Sequence, residues 1–283
     1  MRSPTIEWQV AGACNYDCSY CIQSKRTRRG RLDPERAIAV LDFFRRLPGI
    51  WEIKCSGGEA FAHPAFLDQV VPGLLDTPHQ VSILTNFSAP ETELERFASL
   101  TRGRLVVFSA SLHLEHVTVE DFARKALWFR ALLEPTTRFV VNQVVHPGRE
   151  DEAARCRDRL AADGTRWFPQ LFKTKTGVAE YADASALRAV LGDAPGPSEA
   201  NLAPSYRGRT CWAGVDYLIL DKDGDAWSCR TAKRHGEGHL GNVFAGTVQR
   251  RLEAAVCPWP ICPCTVPANR GMIEGISRRG EWT

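Results

Sequence analysis

The stretch TIEWQVAGACNYDCSYC, residues 5–21, decides how the rest of the chain is read. Its first half is apolar with a β-branched start, and predicts a strand over residues 5–10. Its second half sets Cys14, Cys18 and Cys21 at the spacing C-x3-C-x2-C on the loop that follows. Three thiolates on one short loop can converge on a soft metal centre. A structural zinc site asks for a fourth ligand, and no further Cys or His lies nearby in the sequence. Three ligands to a four-iron cluster leave one iron open to bind something else, which is chemistry rather than scaffolding.

Working outward, strand-like segments recur at residues 50–55, 80–85, 104–110, 137–145 and 165–172, with helical patterns at 34–46, 64–76, 90–100, 118–133 and 149–162. Asp33 and Pro34 form a helix start signal, and Gly164 marks a helix end. Strands alternating with helices at this spacing predict βαβ units and a parallel sheet, either doubly wound or a full or partial barrel. Residues 192–205 (GDAPGPSEANLAPS) read as a linker. Beyond it, 215–220 and 225–229 around Asp221-Lys222-Asp223-Gly224 predict a β-hairpin, and 245–255 a helix, before the proline-rich CPWPICPC of 257–264.

The chain has 283 residues, 44% hydrophobic and 24% charged, with a net charge of +3. That excludes intrinsic disorder, and no apolar run approaches the ~18–20 residues of a membrane span. A bland charge argues against nucleic acid as a partner, and the start lacks a secretory signal, so a cytoplasmic location is expected. Ten cysteines in a reducing compartment point to metal binding or catalysis, not disulfides. Three lie within 14–21 and five within 211–264, while Cys55 and Cys156 stand alone.

Cys14-x3-Cys18-x-Tyr20-Cys21 resembles the signature of radical S-adenosylmethionine (SAM) enzymes, and Gly57-Gly58-Glu59 at the end of the second strand resembles that superfamily's Gly-Gly-Glu motif. The resemblance implies an α/β fold, a partial (β/α)6 TIM-like barrel over residues 1–200. It also implies a [4Fe-4S] cluster held by Cys14, Cys18 and Cys21, and bound SAM. Gly57, Gly58 and Glu59 would contact the methionine amino group. Thr85, Asn86, Ser109, Ser111 and Asn142 are candidates for the ribose and carboxylate, and Tyr20 and Ile22 for the adenine. An external electron donor of flavodoxin or ferredoxin type is implied, as is formation of a 5′-deoxyadenosyl radical that removes hydrogen from substrate.

Cys211 and Cys229 frame C-x12-G-x4-C around Gly224, and Gly241-Asn242 follows. This resembles the opening of SPASM and twitch auxiliary-cluster domains, and implies a small β-hairpin-plus-helix domain over 205–265 with a tail at 266–283. A full SPASM domain needs about seven cysteines, and five are present, so one auxiliary [4Fe-4S] cluster is expected. Further ligands come from Cys257, Cys262 and Cys264; a zinc ribbon is the structural alternative.

For substrate, His113 and Glu115, with His116, follow the fourth strand and suit polar binding or acid–base work; His146 is a lesser candidate. Cys55 is either a hydrogen-atom donor or a buried strand cysteine, and Cys156 inert. Lys173, Lys175 and the basic run at 25–31 could attract an anion. The expected reaction is dehydrogenation or epimerisation of a small polar metabolite of amino sugar, cyclitol or nucleoside type. The alternatives are maturation of a ribosomally made peptide and a non-enzymatic zinc-binding module.

Overall fold

The computed structural model describes residues 2–23, 28, 33–174, 177–192, 205–260, 262 and 265–276. Most of the basic run, Lys175, residues 193–204 of the expected linker, Cys264 and residues 277–283 lie outside the described residues. Six strands, β1 (Thr5–Ala11), β2 (Glu52–Gly57), β3 (Gln80–Thr85), β4 (Leu105–Leu112), β5 (Arg138–Val145) and β6 (Trp167–Leu171), alternate with helices. The helices are α1 (Pro34–Arg45), α2 (Val71–Leu75), α3 (Glu91–Leu100), α4 (Val119–Arg130) and α5 (Glu150–Ala162), with α6 (Ala184–Leu191) after β6. Asp33 caps α1 by accepting from the Arg36 amide at 2.7 Å, with Pro34 in the first turn, as its sequence predicts. Gly164 (φ 63°) lies just past α5. The expected helix at 64–76 is instead a π-helical turn, Phe66–Val70, leading into α2. Pro72, with no N–H to donate, sits where the register changes.

The C-terminal part adds β7 (Thr210–Cys211), β8 (Tyr217–Leu220), β9 (Asp225–Trp227), β10 (His239–Asn242) and β11 (Ala255–Val256). One nine-stranded sheet runs in the order β10-β9-β8-β1-β2-β3-β4-β5-β6. β1 to β6 are mutually parallel, and β8 joins the β1 edge in parallel. The fold is α/β with a mostly parallel sheet, a partial TIM-like barrel. The expected hairpin is β8–β9, and it continues the barrel's own sheet. The helix expected at 245–255 does not form. The Asn242 side-chain oxygen accepts from the Phe244 and Ala245 amides, Gly246 turns at φ 66°, and the chain runs extended into β11, which pairs with β7.

Strand parity separates two interiors. Ile6, Trp8, Val10, Ile53, Cys55, Val81, Ile83, Phe108 and Ala110 point outward into one core with Phe44, Phe97 and Phe129 of the helices. Each such large side chain contributes roughly 1.5–3 kcal/mol by leaving water. The alternate residues point into the barrel, where Val107, Val140 and Phe168 plug one end. The rest of that face mixes polar side chains such as Glu7, Lys54, Ser56 and Asn142 with the apolar Leu84 and Val144, a polar content the helical layer does not require.

Candidate active site

A cavity of about 350 Å³ opens at the carboxyl ends of the strands. Cys14, Cys18 and Cys21 line it as unbridged thiols. Burial pushes the Cys18 thiol up to about 11, with Glu115, Cys21 and Cys14 adding to the shift, and burial likewise raises Cys14. Three thiols whose ionised forms oppose one another in a half-buried wall suit a cation that binds all three.

The glycines of the second motif have a steric reason. A Cβ on Gly58 would lie 2.1 Å from the Ala13 carbonyl oxygen, and one on Gly57 2.3 Å from that of Ala11. Their absence lets β2 close against the cysteine loop, with the Gly58 amide donating to Ala11 at 2.9 Å and the Glu59 amide to Ala13 at 2.8 Å. Gln23 donates to the Gly57 carbonyl at 2.9 Å. Glu59 is 1% exposed and off the cavity wall. Its carboxylate accepts from Thr85 Oγ1 at 2.7 Å, the Asn86 amide at 2.6 Å and the Phe61 amide at 3.2 Å, while burial raises its pKa. The motif's carboxylate thus fastens the end of β3 instead of facing the cavity. Asn86 in turn donates to Asn15 at 2.8 Å, within 3.8 Å of Cys14 Sγ.

Tyr20, Ile22, Gly57, Gly58, Thr85, Asn86, Ser111 and Asn142 all reach the cavity. Ser109, two residues below Ser111 on the same face of β4, is 4% exposed and not on the wall. Asn142 Nδ2 is buried with no hydrogen-bond partner among the described residues, a donor left for a ligand. The open thiols, this orphaned donor and the glycine-closed loop together fit the implied cluster and SAM.

The candidates read for substrate chemistry divide. His113 is on the wall, with Nδ1 2.6 Å from the Tyr20 hydroxyl and 3.6 Å from Cys18 Sγ. Burial, with His116 beside it, lowers its pKa to about 4, so the ring is neutral at pH 7. Glu115 is held elsewhere. It accepts from the amide and hydroxyl of Ser19, which lower its pKa and pin the cysteine loop. His116 stacks on Tyr16 with ring centroids 4.0 Å apart. Cys55 is fully buried in the outer core, its thiol pushed up to about 12 by burial, because parity turns Lys54 and Ser56 inward instead. The hydrogen-atom donor expected there is not at the cavity. Cys156 is buried on α5.

Sequence reasoning missed a charged group at the inner end of the cavity: Glu7, Lys54 and Arg230. Glu7 accepts from Tyr217 Oη at 2.5 Å and from Arg230 Nε at 2.9 Å. Burial raises its carboxyl, but Arg230, Lys54 and Tyr217 outweigh that and hold it at about 2. The period-2 alternation of β1 and β2 was the available signal.

The second cysteine group gathers around β7. Cys211 packs on the buried cluster that holds Cys257 and Cys262 with Tyr206 and Ile273, and, like Cys229, on a second one of Ala213, Tyr217, Ile219 and Met272. Cys229 caps a short helix, Arg230–Arg234, its Sγ accepting from the Ala232 amide at 3.2 Å. Arg230, the next residue, is on the cavity wall.

No curated protein sequence matches the chain. Among solved structures, it is similar to polyhistidine-tagged anSMEcpe with bound AdoMet at 12% identity and a TM-score of 0.60, covering 86% of this chain and 78% of that one. It is also similar to native anSMEcpe with bound AdoMet and Kp18Cys peptide, at 13% identity and TM-score 0.60, over 86% and 79% of the two chains. At these identities the likeness speaks to the fold alone. A family profile described as the Radical SAM superfamily matches residues 8–147, the span from β1 through β5 that carries the cysteine loop and most of the cavity wall. Residues 8–147 are a radical SAM superfamily domain, and that superfamily is one of enzymes.

Proposed function

We propose that the chain oxidises a small polar metabolite of amino sugar, cyclitol or nucleoside type at a carbinol carbon. The observation that carries this reading is the set of uncharged polar side chains that the strands project into the barrel. Gln9, Ser56 and Gln170 project into the open cavity of about 350 Å³ beside the SAM candidates, hydrogen-bonding groups set in a partly apolar wall that suit a compact hydroxylated ligand.

Cys14, Cys18 and Cys21 would hold the family's [4Fe-4S] cluster, and the orphaned Asn142 amide with Asn86, Thr85 and Ser111 would hold SAM. When bound, these groups supply a 5′-deoxyadenosyl radical able to remove a substrate hydrogen atom. The protein's part is positioning and proton handling. Glu59 fixes Thr85 and Asn86, Glu115 fixes Ser19 of the cysteine loop, and neutral His113, paired with Tyr20, faces the cavity as a proton acceptor.

Oxidation at a carbinol carbon must also dispose of one electron after the hydrogen atom has gone. Cys211, Cys229 and a choice among Cys257, Cys262 and Cys264 would hold an auxiliary [4Fe-4S] cluster as its acceptor. Of the two outcomes expected from sequence, dehydrogenation is the better supported. Epimerisation calls for a hydrogen-atom donor, and among the described residues the cysteines on the cavity wall are the three cluster candidates.

The test is anaerobic reconstitution with a panel of cyclitols, amino sugars, nucleosides and short peptides. About eight irons per chain, 5′-deoxyadenosine released in response to a small metabolite, and a keto product without solvent hydrogen are expected. Response to peptides alone would favour the maturase reading, and iron-free protein that never cleaves SAM would end the radical one.

A further inference from the structure

Five ionisable groups from β1, β2 and the C-terminal segment meet inside the barrel. Glu52 is held by Arg270 through two hydrogen bonds of 2.6 Å, and Glu7 by Arg230 and Tyr217. Each carboxylate is therefore already matched by an arginine. The fifth group is Lys54, cross-strand neighbour of Glu7 in the β1–β2 register and of Ser82 in β2–β3. Glu7 and Glu52 attract its ammonium, while Arg270 and Arg230 repel it and burial opposes its charge more than any one of the four affects it. The Ser82 hydroxyl turns to other partners, serving Glu52 and accepting from the Val107 amide at 3.1 Å. The ammonium makes no hydrogen bond or close ion pair among the described residues, and it faces the cavity.

A half-buried cation on a cavity wall with no hydrogen-bonded counterion of its own is costly to maintain, and is tolerated where a ligand completes it. The rest of the wall points the same way. Among its described residues Glu7 is the one carboxylate, and it stands against Lys54, Lys173, Arg230 and Arg234.

We propose that Lys54 is a substrate-binding residue that takes an anionic oxygen group, a carboxylate or phosphate, so that the metabolite oxidised here is an acidic one. The inference rests on the small-metabolite reading above and narrows it. Burial alone already biases this amine toward its neutral form, and an incoming anion reverses that bias.

The experiment uses reconstituted holoenzyme with SAM, wild type against Lys54→Met and Lys54→Arg. Equilibrium dialysis of inorganic phosphate at fixed ionic strength should show at least tenfold weaker binding in Lys54→Met and a change under threefold in Lys54→Arg. SAM affinity and substrate-free SAM cleavage should be unchanged. Because the charge is unmatched without ligand, Lys54→Met should unfold at the same temperature as wild type or higher. A sugar phosphate and a uronic acid, each compared with its neutral sugar, then tell a phosphate from a carboxylate.

Equal phosphate binding in Lys54→Met and wild type overturns the proposal. A lower melting temperature in Lys54→Met overturns it by making Lys54 a structural partner of Glu7 and Glu52. A tenfold loss of SAM affinity overturns it by placing the methionine carboxylate on the ammonium. Failure of the metabolite reading shows separately, as absence of 5′-deoxyadenosine release with any small molecule while phosphate binding persists.

Discussion

Substitution of Glu59 separates two accounts of the Gly-Gly-Glu motif. If its carboxylate contacts the SAM ammonium directly, Glu59→Gln should weaken SAM binding and leave the apo fold alone. The geometry assigns it a different task. Its Oε1 accepts from Thr85 Oγ1 and the Phe61 amide, and its Oε2 from the Asn86 amide, in a site 1% exposed. The side chain introduced by Glu59→Gln would keep one acceptor oxygen and turn an amide NH2 on the other side. With the oxygen toward Thr85, the NH2 meets the Asn86 N–H; turned over, it meets the Phe61 N–H, while the Thr85 hydroxyl can rotate to accept. Either way one buried backbone donor is orphaned, at about 1–3 kcal/mol. Loss of the buried charge offsets part of this, because burial already disfavours ionised Glu59. A net cost of about 1–2 kcal/mol follows. Glu59→Ala orphans all three donors and leaves a void, so about 4 kcal/mol or more is expected. Urea denaturation of apoprotein, followed by circular dichroism, gives these differences at constant slope. SAM affinity of reconstituted enzyme should fall in the same rank order as stability. Unchanged stability in Glu59→Gln together with a hundredfold loss of SAM binding would falsify the positioning role.

Gly58→Ala sets a Cβ 2.1 Å from the Ala13 carbonyl, well inside contact distance, so the cysteine loop must move away; a folded protein with markedly reduced iron uptake is the expected outcome, and full iron loading would contradict it. Cys18→Ser should abolish SAM cleavage, whereas Cys229→Ser should lower iron from about eight to about four per chain and spare substrate-free cleavage. An undiminished iron count in Cys229→Ser would remove the auxiliary cluster. The Glu7 carboxyl, held at about 2 against an ordinary 4.5, contributes stability that is present above pH 4.5 and lost as pH falls through 2. The difference is worth about 3 kcal/mol, so Glu7→Gln should flatten acid denaturation between pH 4.5 and 2 when melting temperature is followed against pH.

The order of elements was legible because each signal was local. The apolar runs of β1 to β5, the Asp33-Pro34 start of α1 and the Gly164 stop of α5 depend on near neighbours only. So did the cysteine loop, since three ligands within eight residues need no tertiary information. What failed locally was decided by short-range chemistry of another kind. The Asn242 side chain captures the amides of Phe244 and Ala245 and diverts 245–255 from a helix, and Pro72 spoils the regularity of 64–76. The sites of Glu59 and Glu115 were legible as residues but not as roles. Their partners Thr85, Asn86 and Ser19 lie 26, 27 and 96 positions away, and a motif does not say which way a carboxylate turns.

Glu7 and Lys54 were passed over because a parallel barrel strand is expected to read as nearly continuous apolar sequence. β1 and β2 do not. TIEWQV and EIKCSG alternate, and alternation in a strand covered by helices on one side has a single physical meaning: the other side is also an environment, and a polar one. Parity alone, applied to these two strands, puts Cys55 among the helices and Lys54 with Glu7 in the cavity. The same step turns the barrel interior from filler into a recognition surface. Apolar side chains at Val107, Val140 and Phe168 suffice to close one end. Keeping a lysine and two glutamate–arginine pairs inside the barrel is destabilising relative to an apolar core of equal volume, and the members of the group that reach the cavity, Glu7, Lys54 and Arg230, are explained by what it binds.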